Sequence, residues 1–599
     1  MRFEGMARQT GRTALGPLLC LVMAACATAG AGGVTQGPSA GGADPRVGLR
    51  AGWNDAGQAA RNLELVAHRD RPQGFFDPTS PGNGNFSNTD LAFRGNHVFV
   101  GNYHGFSVYD VSNPRSPRLR TAVVCAGGQG DVSVWGNLLF FSVEQTRGRV
   151  DCGTQGVADS VSAERFRGVR IFDISNLDNP RQVAAVQTCR GSHTHTLVPD
   201  PRDAGTLYVY VSGTAVARAG EELAGCNPAR DPNQPNTSYW SIAIIRVPVN
   251  APEQARVIAE PRVFASRETG AVAGLWRGGT HGPGTQTTSE SHACHDITAY
   301  PAIGLAAGAC SGNGILLDIR DPANPVRIDE VADPNFAYWH SATFSDDGTK
   351  VIFTDEWGGG RAPRCQATDQ REWGANAIFR LEGRKLKFVE YYKLPAAQTA
   401  TENCVAHNGS LVPVPGRDIK VQAWYQGGIS VFDFTDPARP VEIAFFDRGP
   451  VSATELMTGG YWSAYWYNGH VYGAEITRGL DVFELRPSEH LSRNEIEAAK
   501  LVRFEQFNPQ TQPKLVWPAS FVVARAYLDQ LVRNRGAAQD VTTRVARDLD
   551  RAEGLSGEAR RTALTQLAAQ LQADAQGAAD GARVRALAAA VTQLASAGR

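Results

Sequence analysis

Residues 191 to 200, GSHTHTLVPD, set His193 and His195 two apart at the start of a β-patterned run. In an extended chain alternate side chains share a face, so both imidazoles point to one side. Histidine returns at the head of three later β-rich runs: HDITAYPAIGLAAGAC with His295-Asp296, HSATFSDDGTKVIFTDEW with His340 and, at its far end, Glu356, and HNGSLVPVPGRDIKVQAW with His407-Asn408. Neutral imidazoles together with carboxylates are ligands for zinc, copper, iron or manganese. His195, His295, Asp296, His340, His407 and Glu356, with Asp131 at the head of DVSVW, are therefore candidate metal ligands, and Glu356 is also a candidate general base. The default alternative is architectural, each residue ordering the tight loop behind its strand. Both readings stay open on the sequence.

Other chemistry is poorly represented. The chain has no G-x-S-x-G elbow, no H-E-x-x-H, no P-loop and no dinucleotide fingerprint, and GNGNFS at 82 to 87 reads as a plain loop. Net charge is -1 with 20% charged residues. That balance offers no footprint for nucleic acid.

The elements that must position these residues follow a ruler. VYDVSNPRSP (108 to 117), IFDISNLDNP (171 to 180), LLDIRDPANP (316 to 325) and VFDFTDPARP (431 to 440) align without gaps, with Asp110, Asp173, Asp318 and Asp433 each the same distance ahead of Pro117, Pro180, Pro325 and Pro440. An Asp that bonds backbone two residues on, followed by prolines that fix φ, ends one strand and starts the next. Weaker copies lie around Arg246, Arg380 and Glu484, and a pair of short strands precedes each copy. Four strands per unit and seven units predict a β-propeller.

With these repeats the chain resembles the LVIVD-repeat proteins, exported bacterial propellers built from units like GVRIFDISNLDNP, over about residues 60 to 486. The resemblance implies the fold and carries no general activity. The expected fold class is thus all-β, a seven-bladed propeller over 61 to 486 closed by an N-terminal strand, NLELVAH (62 to 68), with a small all-α appendage. A connector is expected over 487 to 516 and a helical domain over 517 to 599, with a helix from Pro518 to Gly536 and two more after it, faintly similar to FIMAH modules.

The first residues, MRFEGMARQTGRTALGPLLCLVMAAC, read as an export signal over 1 to 26 of lipoprotein type, with Cys26 the lipidated residue and a signal-peptidase site after Ala29 the alternative. A flexible tether is expected over 27 to 60. The expected location is the cell envelope or the exterior, with the membrane reached only through that anchor.

On a propeller, the loops entering inner strands and those after second strands open on one face around the channel. His195, His295, His340 and His407 then come from four consecutive inner-strand starts, with Asp131 from another. Cys125, Cys189, Cys294 and Cys404 lie in entering loops, and Cys152, Cys226, Cys310 and Cys365 near the loops after second strands. With all of them on the same face, the natural pairing is Cys125 with Cys152, Cys189 with Cys226, Cys294 with Cys310 and Cys365 with Cys404. Long insertions at 145 to 167, 213 to 238 and 357 to 374 are thereby pinned over the channel mouth. The expected function is binding of a ligand or partner at that face. The alternative is a metal-dependent hydrolytic or redox enzyme at the mouth, its cofactor a divalent transition metal.

Overall fold

The computed structural model describes residues 44 to 80 and 82 to 597, and the chain divides after Ala43 into two units, of which the second is the one described. The expected export signal, Cys26 and the first part of the tether lie outside the described residues.

Four antiparallel four-stranded sheets stand on their own: one over Gln129–Trp135, Leu138–Val143, Gly168–Asp173 and Arg181–Gln187, and three more beginning at Thr194–Pro199, Asp296–Tyr300 and Trp339–Phe344. A five-stranded sheet runs from Asn88–Arg94 to Arg118–Val124 and takes Gln506–Phe507 on its inner edge. A nine-stranded sheet joins two further sets, beginning at Asn408–Val412 and Tyr461–Tyr467, through a short parallel pairing of those two strands. The first strand of each set packs on the first strand of the next, and Tyr461–Tyr467 packs on Asn88–Arg94. Leu63–Arg69 pairs antiparallel with Gly479–Leu485 as the outer strand of the last set.

The repeat's physics is visible in these sheets. Asp110, Asp173, Asp318 and Asp433 end third strands, and each Oδ1 accepts the N–H two residues on, from Ser112 (2.8 Å), Ser175 (2.8 Å), Arg320 (3.1 Å) and Thr435 (2.8 Å). The following strands start directly after the prolines, at Arg118, Arg181, Val326 and Val441. Between third and fourth strands the register slips once in every set, a bulge that twists the outer edge away. The apolar faces meet between sheets, as where Phe106, Val108, Phe141 and Phe172 pack together.

Three stretches differ from expectation. Residues 44 to 60, read as tether from their small residues, dock on the set over Asn408–Arg448: Gln58–Arg61 pairs with Val441–Arg448, and the buried Arg46 makes a bidentate ion pair with Glu442 (2.9 and 2.8 Å) while stacking on Phe445. Composition gave no sign of it, because one arginine and a short strand pairing with a distant part of the chain hold the segment. The connector is no spacer. It contains α1 (Arg493–Leu501), and its residues 505 to 512 lie across the ends of five first strands. Glu505 bonds Gly95 (2.7 Å), Asn508 bonds both N–H and C=O of Val134 (2.7 and 2.8 Å), and Thr511 bonds the Leu197 carbonyl (2.6 Å). Ala299 exchanges bonds with Gln510 and Gln512 (2.8 Å each), and the Gln512 side chain bonds N–H and C=O of Phe344 (3.0 and 2.9 Å).

The helical end holds four helices rather than three: α2 (Phe521–Arg533), α3 (Gln539–Glu553), α4 (Gly557–Asp574) and α5 (Gly581–Ala597). The α2 helix starts after Ser520, whose hydroxyl accepts from Val522 N–H, and not at Pro518. The α3 helix is Asp- and Arg-rich and buries only Thr542, Val545, Leu549 and Ala552, so its apolar stripe is thin. These helices share one core and also dock on the sheets, since Arg417 and Arg533 both pair with the buried Glu495 of α1 (2.9 and 2.7 Å) and Trp517 Nε1 donates to Pro413 O (2.8 Å). No helix among the described residues is long and apolar enough to cross a membrane.

Candidate metal centre

Four first-strand starts bring imidazoles into a row. Ring centroids of His193 and His295 lie 4.1 Å apart, those of His295 and His340 3.9 Å, and those of His340 and His407 4.2 Å. Glu356 enters from the end of a second strand and faces three of them, with Oε2 3.9 Å from His295 Nε2 and 3.8 Å from His340 Nε2, and Oε1 3.6 Å from His407 Nε2. Two ligands about 2.1 Å from one ion in a tetrahedron stand roughly 3.4 Å apart, so Glu356 is close to ligand spacing from each of the three imidazoles. His295, His340 and Glu356 offer ligand atoms all within 4.8 Å of one another.

The far sides of these groups are already held. His295 Nδ1 bonds Asp296 (2.9 Å), His407 Nδ1 bonds the Trp462 carbonyl, His340 Nδ1 is 3.4 Å from Thr354 Oγ1, and Glu356 Oε1 accepts from Tyr425 Oη (2.6 Å). Such outer bonds fix the tautomer that leaves Nε2 free to bind a metal. His340 Nε2 and His407 Nε2 are buried with no hydrogen-bond partner. Burial, and then their neighbours' charge, holds all three imidazoles well below their ordinary range, so they are neutral. The same burial pushes the Glu356 carboxyl up to about 7.

Other predicted residues are placed elsewhere. His195 gives Nδ1 to Ser142 (2.8 Å), and Asp131 accepts the His195 backbone N–H (3.0 Å), so these two form a separate pair. Asp296 faces His295 from behind and stands outside the facing Nε2 atoms. Asp131 lies with Asp90 and Asp296 in a buried acidic group, where burial, and for Asp131 the charge of Asp90, raises all three carboxyls. His193 is tied to Glu144 (2.6 Å). Against the cost of burial, the His193 charge holds Glu144 down at about 2 while Glu144 holds His193 up.

Above the imidazoles opens a cavity of about 1080 Å³ lined by Tyr103, Gln129, Tyr338, Tyr425 and Trp462, among others. Residues 82 to 87, read as a plain loop, form part of its rim, as do Thr287 and Ser289 from a stretch between sheets not singled out by sequence. Tyr425 is the residue that sequence reasoning missed in the centre itself. Lys420, equally unmarked, is buried beneath with no partner for Nζ, and burial brings its amine down to about 7. Disulfides join Cys125 to Cys152, Cys189 to Cys226, Cys294 to Cys310 and Cys365 to Cys404, tying entering loops to the loops after second strands. Four disulfides belong to an oxidising compartment outside the cytosol.

Successive four-stranded sheets packed through their first strands are the plan of a β-propeller. Residues 87 to 124 match the LVIVD repeat model, within a chain whose sheets have that plan. Among curated protein sequences none matches it. Of solved structures, hydrazine synthase of Kuenenia stuttgartiensis is similar at 12% identity and TM-score 0.40, over 67% of this chain and 97% of that one. The periplasmic gluconolactonase of Pseudomonas aeruginosa is similar at 14% identity and TM-score 0.40, over 66% of this chain and 100% of that one. Neither likeness says what this chain does.

Proposed function

We propose that this is an exported propeller of seven blades, latched by Leu63–Arg69, that holds a divalent transition metal at its mouth and binds a small ligand in the cavity above. His295, His340, His407 and Glu356 are the metal ligands, and Cys26 is the lipid anchor to the cell envelope. One observation carries the metal: two buried, partnerless Nε2 atoms face one carboxylate. An unmade bond on a buried polar atom costs about 1–3 kcal/mol, and a shared cation removes that cost for both imidazoles. The ligand is supported by the cavity, which opens on this centre through disulfide-tied loops.

An enzymatic reading rests on the same opening, since a metal with an exposed side is a Lewis acid that can activate bound water. Glu356, as a ligand bonded to Tyr425, would then leave the base role to another group. The test is elemental analysis of protein folded in an oxidising compartment, beside a His295→Ala/His340→Ala variant checked by circular dichroism. One equivalent of metal, lost in the folded variant, is expected. Metal-free wild-type protein would return the imidazoles to ordering loops.

A further inference from the structure

The metal proposal uses the imidazoles and Glu356 but leaves the cavity wall unexplained. Glu356 is the one acidic residue lining the cavity among those described. Once it holds a cation, every remaining charge on the lining is positive or paired.

Arg361 supplies that charge. It follows Trp357-Gly358-Gly359-Gly360, is exposed, and lines the cavity. The three glycines all have positive φ (+71°, +61° and +66°), and a Cβ at Gly360 would stand 2.2 Å from Tyr425 Oη. This tight path, fixed by Asn403 Nδ2 donating to Gly360 O (2.7 Å), lets Glu356 face the imidazoles while Arg361, five residues on, meets the cavity. Neighbouring arginines are committed: Arg364 pairs with Asp369 (3.0 Å) and lies over Trp357, and Arg147 bonds the carbonyl of Tyr103 (2.9 Å). The Arg361 guanidinium has no such partner among the described residues. Its charge is felt at the phenols of Tyr103 and Tyr425. Those two rings flank Trp462, with centroids 6.2 and 6.4 Å from it and planes inclined at 74° and 81°.

A free guanidinium fork recognises a carboxylate, and a slot of aromatic faces and edges recognises a flat apolar ring. Resting on the reading of this mouth as a ligand site, we infer that the ligand is a small aromatic carboxylate, its carboxylate on Arg361 and its ring beside Tyr103, Tyr425 and Trp462.

Calorimetric titration with benzoate, and with benzamide as its neutral isostere, tests this on the full disulfide-bonded protein. Benzoate is expected to bind about ten- to a hundredfold more tightly than benzamide. In Arg361→Gln that difference should vanish, with benzamide binding unchanged as proof of an intact cavity, and Arg361→Lys should keep part of it. Equal binding of benzoate by wild type and Arg361→Gln would overturn the inference, as would wild type that does not discriminate the two compounds or binds neither. Metal content read on the same samples separates the proposals: metal-free protein whose benzoate binding still depends on Arg361 overturns the metal and leaves the carboxylate standing.

Discussion

Asn508 is the sharpest point at which to perturb the segment lying across the first strands. Its side-chain amide imitates a neighbouring strand, Oδ1 accepting the Val134 N–H at 2.7 Å and Nδ2 donating to the Val134 carbonyl at 2.8 Å. Val134 is fully buried in the sheet, and Asn508 is itself buried. Asn508→Ala strands one backbone donor and one acceptor away from water. At about 1–2 kcal/mol for each group, the expected loss is about 2–4 kcal/mol. Asn508→Asp keeps the acceptor but sets a carboxylate oxygen against the Val134 carbonyl, and should cost at least as much. Amide hydrogen exchange followed by mass spectrometry reads the effect where it arises: the Val134 amide should exchange faster in the alanine variant, while strands away from the contact keep their protection. Unchanged protection at Val134 would refute the idea that this side chain completes the strand's hydrogen bonding.

Two further outcomes are expected. Burial raises the Asp90 carboxyl from 3.8 to about 6, so the folded chain holds that proton more tightly than the unfolded one. The stability it contributes is complete below about pH 4 and lost as pH rises through 6. Asp90→Asn keeps an oxygen for Gln510 and should lessen the fall in melting temperature between pH 4 and 7, the remainder of which belongs to the other raised carboxyls such as Asp296 and Glu356, whereas parallel profiles would show that Asp90 does not titrate there. Gly360→Ala adds a Cβ onto Tyr425 Oη in a backbone conformation that alanine resists, and should displace the tyrosine from Glu356 and cut metal content at least tenfold in a folded protein. Full metal occupancy in that variant would separate Tyr425 from the centre.

What could be read from sequence was what repeats or alternates. The Asp-to-Pro ruler locates third strands and the turns after them because each step uses local chemistry, an Asp accepting from a backbone N–H two residues on. The cysteines could be paired because each lies in a loop entering a first strand or near one following a second strand, on one face, although Cys365–Cys404 joins two neighbouring units. His295, His340 and His407 could be grouped for the same reason, as heads of successive strands. Asn508, Gln510 and Gln512 were invisible because they imitate backbone one residue at a time, and no periodicity marks a side chain that substitutes for a strand. Arg46 and Tyr425 act through single contacts with distant residues, Glu442 and Glu356, that no local pattern announces. The α3 helix keeps a helical apolar period, Val545, Leu549 and Ala552 on one face, but so few apolar residues stand among its charges that its segment does not read as a core helix.

The segment over 505 to 512 also governs when the sheets can be completed. It bonds to first strands that begin as early as Asn88, and the outer strand of the last set, Leu63–Arg69, comes from still earlier in the chain. Contacts of such sequence separation form late, because their loop entropy is spent before any of their bonding is gained. The early sheets must therefore wait, with edges unpaired, until more than four hundred further residues have been made. A chain whose sheets are finished only after residues 505 to 512 are made keeps unpaired edges through much of its synthesis, and so depends on staying unaggregated until then.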